Sequence, residues 1–271
     1  MRNPRDYRAG VRLLAAALLM LGASSAGQAA PTAATVEAID ACMRANIPPA
    51  LQIRQFSLNA VDHNGAGRLM KGRLYAIRDN GLLRTMLRID SPPDLRGAAY
   101  LLREGEAAQQ DAMYVYLPAL NKVRRIMGGT QDNPLFGTDL SYADLKQISH
   151  AFSGGQIELE KTDKIDGRDT YILGLIPDAS QQSRYSRIRT WVDRESCVAL
   201  RAEFIADGQA RKRYSASAKD ILKAGPHWYV AKGVMEDLGE HSRTQLSIDG
   251  VATSDALPDL YFNPRSFYLG N

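Results

Sequence analysis

The sequence lacks the residue patterns that most enzymes and metalloproteins carry. It has only two cysteines and four histidines among 271 residues, and the histidines are scattered near turns and the ends of predicted elements. No His-Glu-x-x-His or Gly-x-Ser-x-Gly motif occurs, and no Gly-Gly pair precedes the lysine of a phosphate-binding loop. We therefore expect no catalytic residue, no metal site and no cofactor, and we expect that the protein is not an enzyme.

An excess of positive charge is also missing once the first 29 residues are set aside. The formal net charge of +4 includes four arginines and one aspartate from that segment, and without them it falls to about +1. A nucleic-acid-binding domain needs clustered positive charge on its folded surface. We therefore expect no nucleic-acid partner.

Residues 1–29 have the pattern of a secretory signal peptide. Four arginines accompany an apolar run over residues 13–21, and small residues follow as far as Ala29. A membrane anchor is the alternative, but nine strongly apolar residues are too few to span a bilayer. We expect cleavage after Ala29 and a periplasmic location. Residues 30–271 contain no Pro/Ser-rich linker, internal repeat or low-complexity tract, which favours a single domain.

The two cysteines indicate a structural disulfide. Export carries Cys42 and Cys197 to a compartment in which disulfides persist, and neither belongs to a Cys-x-x-Cys motif. A bridge between them would tie an N-terminal helix to a strand far along the chain. Two buried free thiols are the alternative.

Most of the chain has the alternation of β-strands. Helical spacing is confined to residues 35–47 and 141–150, and turn sequences such as Asp79-Asn80-Gly81 and Asp166-Gly167 separate the extended segments. Residues 209–222 and 228–238 are predicted as one strand each. A twisted sheet of ten or more strands curls, with its apolar face inside and its charged face outside. We predict a mainly β fold, with one large antiparallel sheet in an open, incomplete barrel and one or two short helices as lid or plug.

The most distinctive stretch of the chain runs from Tyr114 to Lys146. Met113 and Val115 alternate with tyrosines, a basic segment follows Pro118, and a glycine-rich loop leads to Ser141, a predicted helix N-cap. Two blocks of this stretch and an earlier one resemble the periplasmic outer-membrane lipoprotein-sorting-like family, which is related to the lipoprotein carriers LolA and LolB. The matching residues are Tyr116, Leu117, Pro118, Lys122, Arg124, Arg125, Gly137, Thr138, Asp139, Ser141, Tyr142, Asp144 and Leu145, with the segment Pro92-Pro93-Asp94-Leu95-Arg96-Gly97. The resemblance implies an unclosed antiparallel barrel with helices as a lid.

Two groups of residues in this stretch are candidates for a binding site. Tyr114, Tyr116, Phe136 and Tyr142 are candidate cavity or lid residues, although aromatic side chains at this density also suit a core. Lys122, Arg124, Arg125 and Asp139 are candidates for the rim or for a lid lock. The basic residues suit anionic lipid headgroups or an acidic partner, or simply an edge strand protected from aggregation. An ion pair between Asp139 and Arg124 or Arg125 would hold the lid shut.

Two functions of different classes follow from these observations. The resemblance implies a soluble periplasmic carrier or chaperone that holds a lipid or a lipidated protein in an apolar cavity. Such a carrier would be monomeric, would touch membranes transiently, and would have an inner-membrane transporter as a possible partner. The alternative is an accessory or scaffold subunit of an inner-membrane exporter or envelope complex, with a barrel filled by its own side chains.

Overall fold

The computed structural model describes residues 34–106, 110–149, 154–255 and 259–269, so the predicted signal peptide lies outside the described residues. Two α-helices occur in these ranges, α1 (Val36–Ala45) and α2 (Asp144–Ser149). The strands are β1 (Leu51–Val61), β2 (Gly67–Asp79), β3 (Leu82–Ser91), β4 (Ala99–Arg103), β5 (Ala112–Leu117), β6 (Lys122–Ile126), β7 (Gly155–Ile165), β8 (Arg168–Pro177), β9 (Arg187–Asp193), β10 (Ala199–Ala206), β11 (Gln209–Ala216), β12 (Ile221–Ala224), β13 (His227–Val230), β14 (Lys232–Asp237) and β15 (Ser242–Ser254). Neither described helix has the length and apolar character needed to cross a bilayer.

Thirteen of the described strands form one antiparallel sheet, in the order β6-β5-β4-β3-β2-β1-β15-β14-β11-β10-β9-β8-β7. Tight turns at Asn80-Gly81, Asp166-Gly167 and Asp207-Gly208 join successive strands, and both residues of each turn have positive φ. Asn-Gly and Asp-Gly tolerate that conformation at low cost, which is why these dipeptides mark hairpins. β1 pairs with β15 and so joins the two halves of the sheet, while β12 and β13 form a separate hairpin.

The sheet curls without closing. Its two edges, β6 and β7, are not paired with each other in the described structure. In a flat sheet β5 and β8 would be separated by ten strand spacings, roughly 48 Å. Met113 of β5 and Leu175 of β8 nevertheless line the same small cavity. This geometry confirms the predicted mainly β fold with one large, open sheet.

The main hydrophobic core fills the inner side of this sheet. It joins Phe56 and Leu58 of β1 to Phe204 of β10 and Tyr214 of β11, on strands well separated in the sheet. The loop before α2 contributes Leu135, Phe136 and Leu140, and α1 contributes Ile39 and Met43. Full burial of such a side chain stabilises the fold by about 1.5–3 kcal/mol. The interior is therefore packed partly by elements outside the sheet.

Helix α1 begins at a side-chain cap and is fixed at three points. The N–H of Ala38 donates to Oγ1 of Thr35, a common N-cap arrangement. A disulfide joins Cys42 to Cys197 across 155 residues, as the sequence predicts. Arg44 forms an ion pair with the buried carboxylate of Glu104, with 2.9 Å between Nη2 and Oε1. The helix is thereby held against the β9–β10 turn and the end of β4.

The outer face of the first half of the sheet departs from prediction. Charged residues were expected there, but Tyr75, Met86 and Leu101 form a second buried cluster with Phe267 of the C-terminal segment. The ring of Tyr116 stacks on that of Tyr268, with 4.2 Å between centroids. The segment from Asp259 to Leu269 therefore covers an apolar patch on the outside of the sheet.

The single strands predicted for residues 209–222 and 228–238 are both wrong. β11 ends at Ala216, and a short turn leads into β12. The second segment divides at Ala231 into β13 and β14. Ser217 Oγ and the N–H of Ala218 both donate to Asp166, at 2.8 and 3.0 Å. This contact lies where β11 ends, and the β12–β13 hairpin that follows packs against Ile172, Trp191 and Leu200 of the sheet.

Candidate functional site

An apolar pocket of about 80 Å³ lies between the inner face of the sheet and two covering segments. Its floor includes Phe56 and Leu58 of β1 and Leu246 and Ile248 of β15. These side chains share one face of their strands because residues two apart along a strand point the same way. Leu74 and Leu87, on β2 and β3, extend the floor. The wall is therefore hydrocarbon over most of its area.

One cover is the segment that contains α2, which contributes Leu140 and Leu145 to the lining. Ser141, the predicted N-cap, forms a capping box with Asp144, since the N–H of Ser141 donates to Oδ2 of Asp144 at 2.6 Å and the N–H of Asp144 donates to Oγ of Ser141 at 3.3 Å. Asp144 also accepts a hydrogen bond from the ammonium of Lys212 on β11, and both groups are buried. The capping box and this ion pair fix α2 over the pocket.

The other cover is the β12–β13 hairpin, which contributes Trp228, Tyr229 and Val230. It is attached to the rest of the protein by apolar and by polar contacts. Ile221, Trp228 and Val230 pack against a buried cluster of the sheet that includes Ile172, Trp191 and Leu200. The N–H of Trp228 donates to Oδ1 of Asn46 at 2.8 Å, and Nδ2 of Asn46 donates to the carbonyl of Ser196 at 2.8 Å. Asn46 therefore connects the end of α1, the β9–β10 turn and the hairpin.

Arg54 is the only charged side chain in the lining of this pocket among the described residues. It lies on β1, two residues before Phe56, and is partly buried. Its Nε donates to Oε1 of Gln52 at 2.7 Å, and its guanidinium carbon is 5.7 Å from the centroid of the Tyr229 ring. Burial lowers the pKa of Arg54 to about 10, while the neighbouring Tyr229 raises it. Arg54 therefore remains a cation at neutral pH.

A second, polar cleft of about 550 Å³ lies at the end of the barrel near the β1–β2 turn. Asp139 lies in its wall and is held by β15. The carboxylate of Asp139 accepts hydrogen bonds from Oγ of Ser242 and from Oγ1 of Thr244, the latter at 2.6 Å. In the described structure the carboxylate of Asp139 contacts these hydroxyl groups and forms no ion pair with Arg124 or Arg125, and its role as a lid lock stays a prediction.

The four candidate aromatic residues lie on two sides of the sheet. Phe136 is buried in the main core, and Tyr142 packs against that core with its backbone carbonyl accepting from the hydroxyl of Tyr100 at 2.7 Å. Tyr114 and Tyr116 lie on the outer face with the C-terminal segment. None of the four is among the residues that line the apolar pocket.

The three candidate basic residues lie together on the edge strand β6. Lys122, Arg124 and Arg125 are all exposed there. By contrast, Arg187 and Arg189 near the opposite edge form ion pairs with Glu160 of β7. A role for the β6 residues toward headgroups or an acidic partner stays a prediction.

Sequence reasoning missed Arg54 and the hairpin residues Trp228 and Tyr229. Alternation along β1 places Arg54 on the same face as Phe56 and Leu58, and that pattern was a usable signal. No such pattern marks the hairpin residues, because they reach the pocket through contacts with residues that are distant in the sequence.

Comparison with known proteins identifies the family and the fold. A family model with the description "-like: Uncharacterized protein" matches residues 81–268. A search of the curated proteins finds no match. A crystal structure of a DUF1329 family protein from Desulfovibrio piger is similar, with a TM-score of 0.74, 24% identity, and coverage of 83% of this chain and 94% of that chain.

Two further solved structures share the architecture. A domain from Vibrio parahaemolyticus, named for outer membrane lipoprotein sorting, has a TM-score of 0.74 at 21% identity and covers 85% of this chain and 97% of its own. A LolA superfamily protein from Nitrosomonas europaea has a TM-score of 0.66 at 18% identity and covers 85% and 98%. The chain therefore belongs to the family that the model over residues 81–268 describes, and its fold is that of the LolA-like, outer-membrane lipoprotein-sorting-like proteins.

Proposed function

We propose that this protein is a periplasmic carrier that binds a lipid, or the acylated part of a lipoprotein, in the apolar pocket. The observation that carries the proposal is a hydrocarbon-lined pocket covered by two segments outside the main sheet, α2 and the β12–β13 hairpin. Apolar pockets with few polar groups are the usual form of a lipid site. The name of the Vibrio parahaemolyticus domain, which refers to lipoprotein sorting, agrees with this function.

The size of the pocket indicates how a ligand would enter. A volume of about 80 Å³ is several times the roughly 10–15 Å³ that one water molecule requires. It accommodates a short apolar segment, and a longer acyl chain requires the hairpin or α2 to move aside. The hairpin suits such movement because its strands pair only with each other. Loading would then break a few polar contacts, separate Trp228 and Val230 from the apolar cluster around Trp191, and leave the thirteen-stranded sheet intact.

Energetics explain why such a pocket serves a carrier. Moving one CH2 group from water into an apolar site is worth about 0.8 kcal/mol, so a long chain does not return to water readily. Transfer between a bilayer and the pocket changes the free energy little, because both are apolar. A modest cavity with a movable cover therefore suffices to take up a lipid and release it to an acceptor.

The cellular setting of the proposal comes from the sequence and the disulfide. The signal peptide predicted at residues 1–29 would direct residues 30–271 to the periplasm as one domain, where the Cys42–Cys197 bridge persists. Exposed Lys122, Arg124 and Arg125 would meet anionic headgroups in transient membrane contacts, or an acidic surface of an inner-membrane transporter. The carrier would act as a monomer.

Purification from the periplasm of its own organism tests the proposal. Native mass spectrometry and organic extraction of the mature protein are expected to reveal bound acyl species. Leu246→Trp, which fills the pocket, should reduce the amount bound, whereas Leu69→Trp should not, because Leu69 is an exposed residue of β2. Absence of acyl species from both the wild type and the Leu69→Trp variant would contradict the proposal.

A second candidate is an accessory or scaffold subunit of an inner-membrane exporter or envelope complex. It is favoured by the dense interior, where Tyr100, Phe204 and Tyr214 are fully buried and fill much of the space inside the sheet. A protein of this class would co-purify with a membrane complex and without lipid. Crosslinking in intact cells followed by mass spectrometry distinguishes it from a carrier.

A further inference from the structure

The apolar pocket contains a cation without an ionic partner. Arg54 is the only charged residue that lines it in the described structure, and no carboxylate of the described residues lies within 4.0 Å of its guanidinium. Several other partly buried arginines of the described structure are paired, as Arg44 is with Glu104 and Arg168 with Asp193. Partial burial takes some water from this cation without supplying an opposite charge, so an anionic ligand would be favoured there.

The hydrogen-bonding groups of Arg54 are only partly used. Nε donates to Oε1 of Gln52, a buried residue on the same strand, which fixes the direction of the side chain. The two terminal nitrogens, Nη1 and Nη2, donate to no described residue. A guanidinium with both terminal nitrogens open presents the fork that binds carboxylate and phosphate oxygens. Arg54 is therefore oriented by Gln52, and its two terminal nitrogens are available to a ligand.

Apolar side chains follow Arg54 along the wall of the pocket. Phe56 and Leu58 follow it on the same face of β1, so a line from Arg54 to Leu58 covers roughly 13 Å of apolar wall. Tyr229 of the hairpin lies over the guanidinium. The site thus places one positive charge at one end of an apolar strip, beneath a cover.

We infer that the pocket selects an anionic amphiphile, whose carboxylate or phosphate binds Arg54 while its chain runs over Phe56 and Leu58. This inference rests on the proposed carrier function and narrows its cargo to molecules with a negative group next to an acyl chain. Burial of the ion pair in an apolar wall would strengthen it relative to one at the surface. Because Tyr229 covers the guanidinium, closing of the hairpin would accompany headgroup binding.

Calorimetric titration of the mature protein with three ligands of one chain length tests the inference. The ligands are dodecanoate, dodecyl phosphate and dodecan-1-ol, each below the concentration at which it aggregates, with inorganic phosphate as a fourth probe. We expect the two anions to bind at least about tenfold more tightly than the alcohol, the factor that corresponds to a charged hydrogen bond. Inorganic phosphate should not bind, because it lacks the chain.

Variants of Arg54 assign the selectivity to this residue. Arg54→Gln should bind all three dodecyl ligands with similar affinity, and Arg54→Lys should keep part of the preference for anions because it keeps the charge. Arg243→Gln, at an exposed position of β15 outside this pocket, should behave as the wild type. Thermal unfolding of each variant checks that its fold is retained.

The possible outcomes separate this inference from the carrier function. Equal binding of all three dodecyl ligands to the wild type would overturn the inference and leave the carrier function supported. Binding of inorganic phosphate as tight as that of dodecyl phosphate would also overturn it, since the site would then recognise a free anion. Failure of every dodecyl ligand to bind would overturn the carrier function together with the inference.

Discussion

The ammonium group of Lys212 on β11 donates a hydrogen bond to the carboxylate of Asp144 at the start of α2, and both side chains are almost completely buried. The pair fastens a covering segment of the pocket to the sheet. Asp144 also accepts from the N–H of Ser141, so one carboxylate both starts the helix and anchors it. The position of α2 therefore depends on a charge pair that is shielded from water.

Loss of one partner of this pair should be severe. Lys212→Met leaves the carboxylate of Asp144 buried without its counter-ion, and we expect the free energy of unfolding to fall by about 3–5 kcal/mol in urea denaturation. Adding Asp144→Asn removes the charge and should restore a large part of the loss. Lys232→Met, at an exposed position of β14, is the control and should have little effect. A Lys212→Met variant as stable as this control would contradict the anchoring role.

Asp139 should control the protection of the loop before α2. Asp139→Ala removes two hydrogen bonds from Ser242 and Thr244, so amides of residues 135–140 should exchange hydrogen about tenfold faster or more. Arg124→Gln and Arg125→Gln should not change this exchange, since neither residue is a hydrogen-bond partner of Asp139. Exchange as fast in an arginine variant as in Asp139→Ala would instead favour an ion pair between the two residues.

Glu104 should make the attachment of α1 sensitive to acid. Burial acts to raise the pKa of Glu104, but the N–H of Leu83 together with Lys146 and Arg44 holds it below its ordinary value of 4.5. A carboxylate whose pKa is lower in the folded state stabilises the protein above its unfolded pKa, and this contribution is lost as the pH falls through the folded pKa.

The comparison of Glu104→Gln with the wild type measures this effect. The variant should lose about 2 kcal/mol at neutral pH, and its stability should depend less on pH as the pH falls below about 4.5, as followed by urea denaturation. Glu240→Gln, at an exposed position, should show the pH dependence of the wild type. An unchanged pH dependence in Glu104→Gln would show that other carboxylates account for acid sensitivity.

Gly72 should not tolerate a side chain. A Cβ atom at Gly72 of β2 would lie 2.1 Å from the carbonyl oxygen of Arg88 and 2.8 Å from the ring of Phe56, which lines the pocket. Gly72→Ala is expected to destabilise the protein by about 1–3 kcal/mol in thermal or urea unfolding. Gly67→Ala on the same strand is the matched control, because the nearest atom to its Cβ is 3.8 Å away. Equal stability of the two variants would show that the sheet relaxes around position 72.

Local sequence patterns were sufficient for most of the sheet. Turns such as Asn80-Gly81 and Asp207-Gly208 have a conformational preference that does not depend on the rest of the fold, and they set where the strands reverse. The alternation around Met113 and Val115 likewise identified the inner face of β5. The capping box of Ser141 and Asp144 was visible for the same reason, since its partners are three residues apart.

The parts that could not be predicted depend on contacts between distant residues. Asp166 contacts Ser217 and Ala218, about fifty residues later, where β11 ends, so the hairpin that covers the pocket has no local signature. Tyr114 and Tyr116 were assigned to a cavity because nothing in residues 259–269 shows strand or helix spacing that would pack on them. Alternation along β1 indicates which face Arg54 shares with Phe56 and Leu58, but the cover over that face comes from the distant hairpin, so the pocket itself could not be predicted.

The separation between the edge strands β6 and β7 affects the volume that the sheet can enclose. In a closed barrel the number of strands and their stagger determine the girth, so the enclosed volume cannot grow unless the ladder breaks. Here the edge strands β6 and β7 can move apart while the hydrogen bonds between adjacent strands stay intact. Such spreading would break contacts between the two halves, such as those of Asp132 with Ser183 and Arg184, and would loosen the packing of the core. The same set of paired strands could thus enclose ligands of different size.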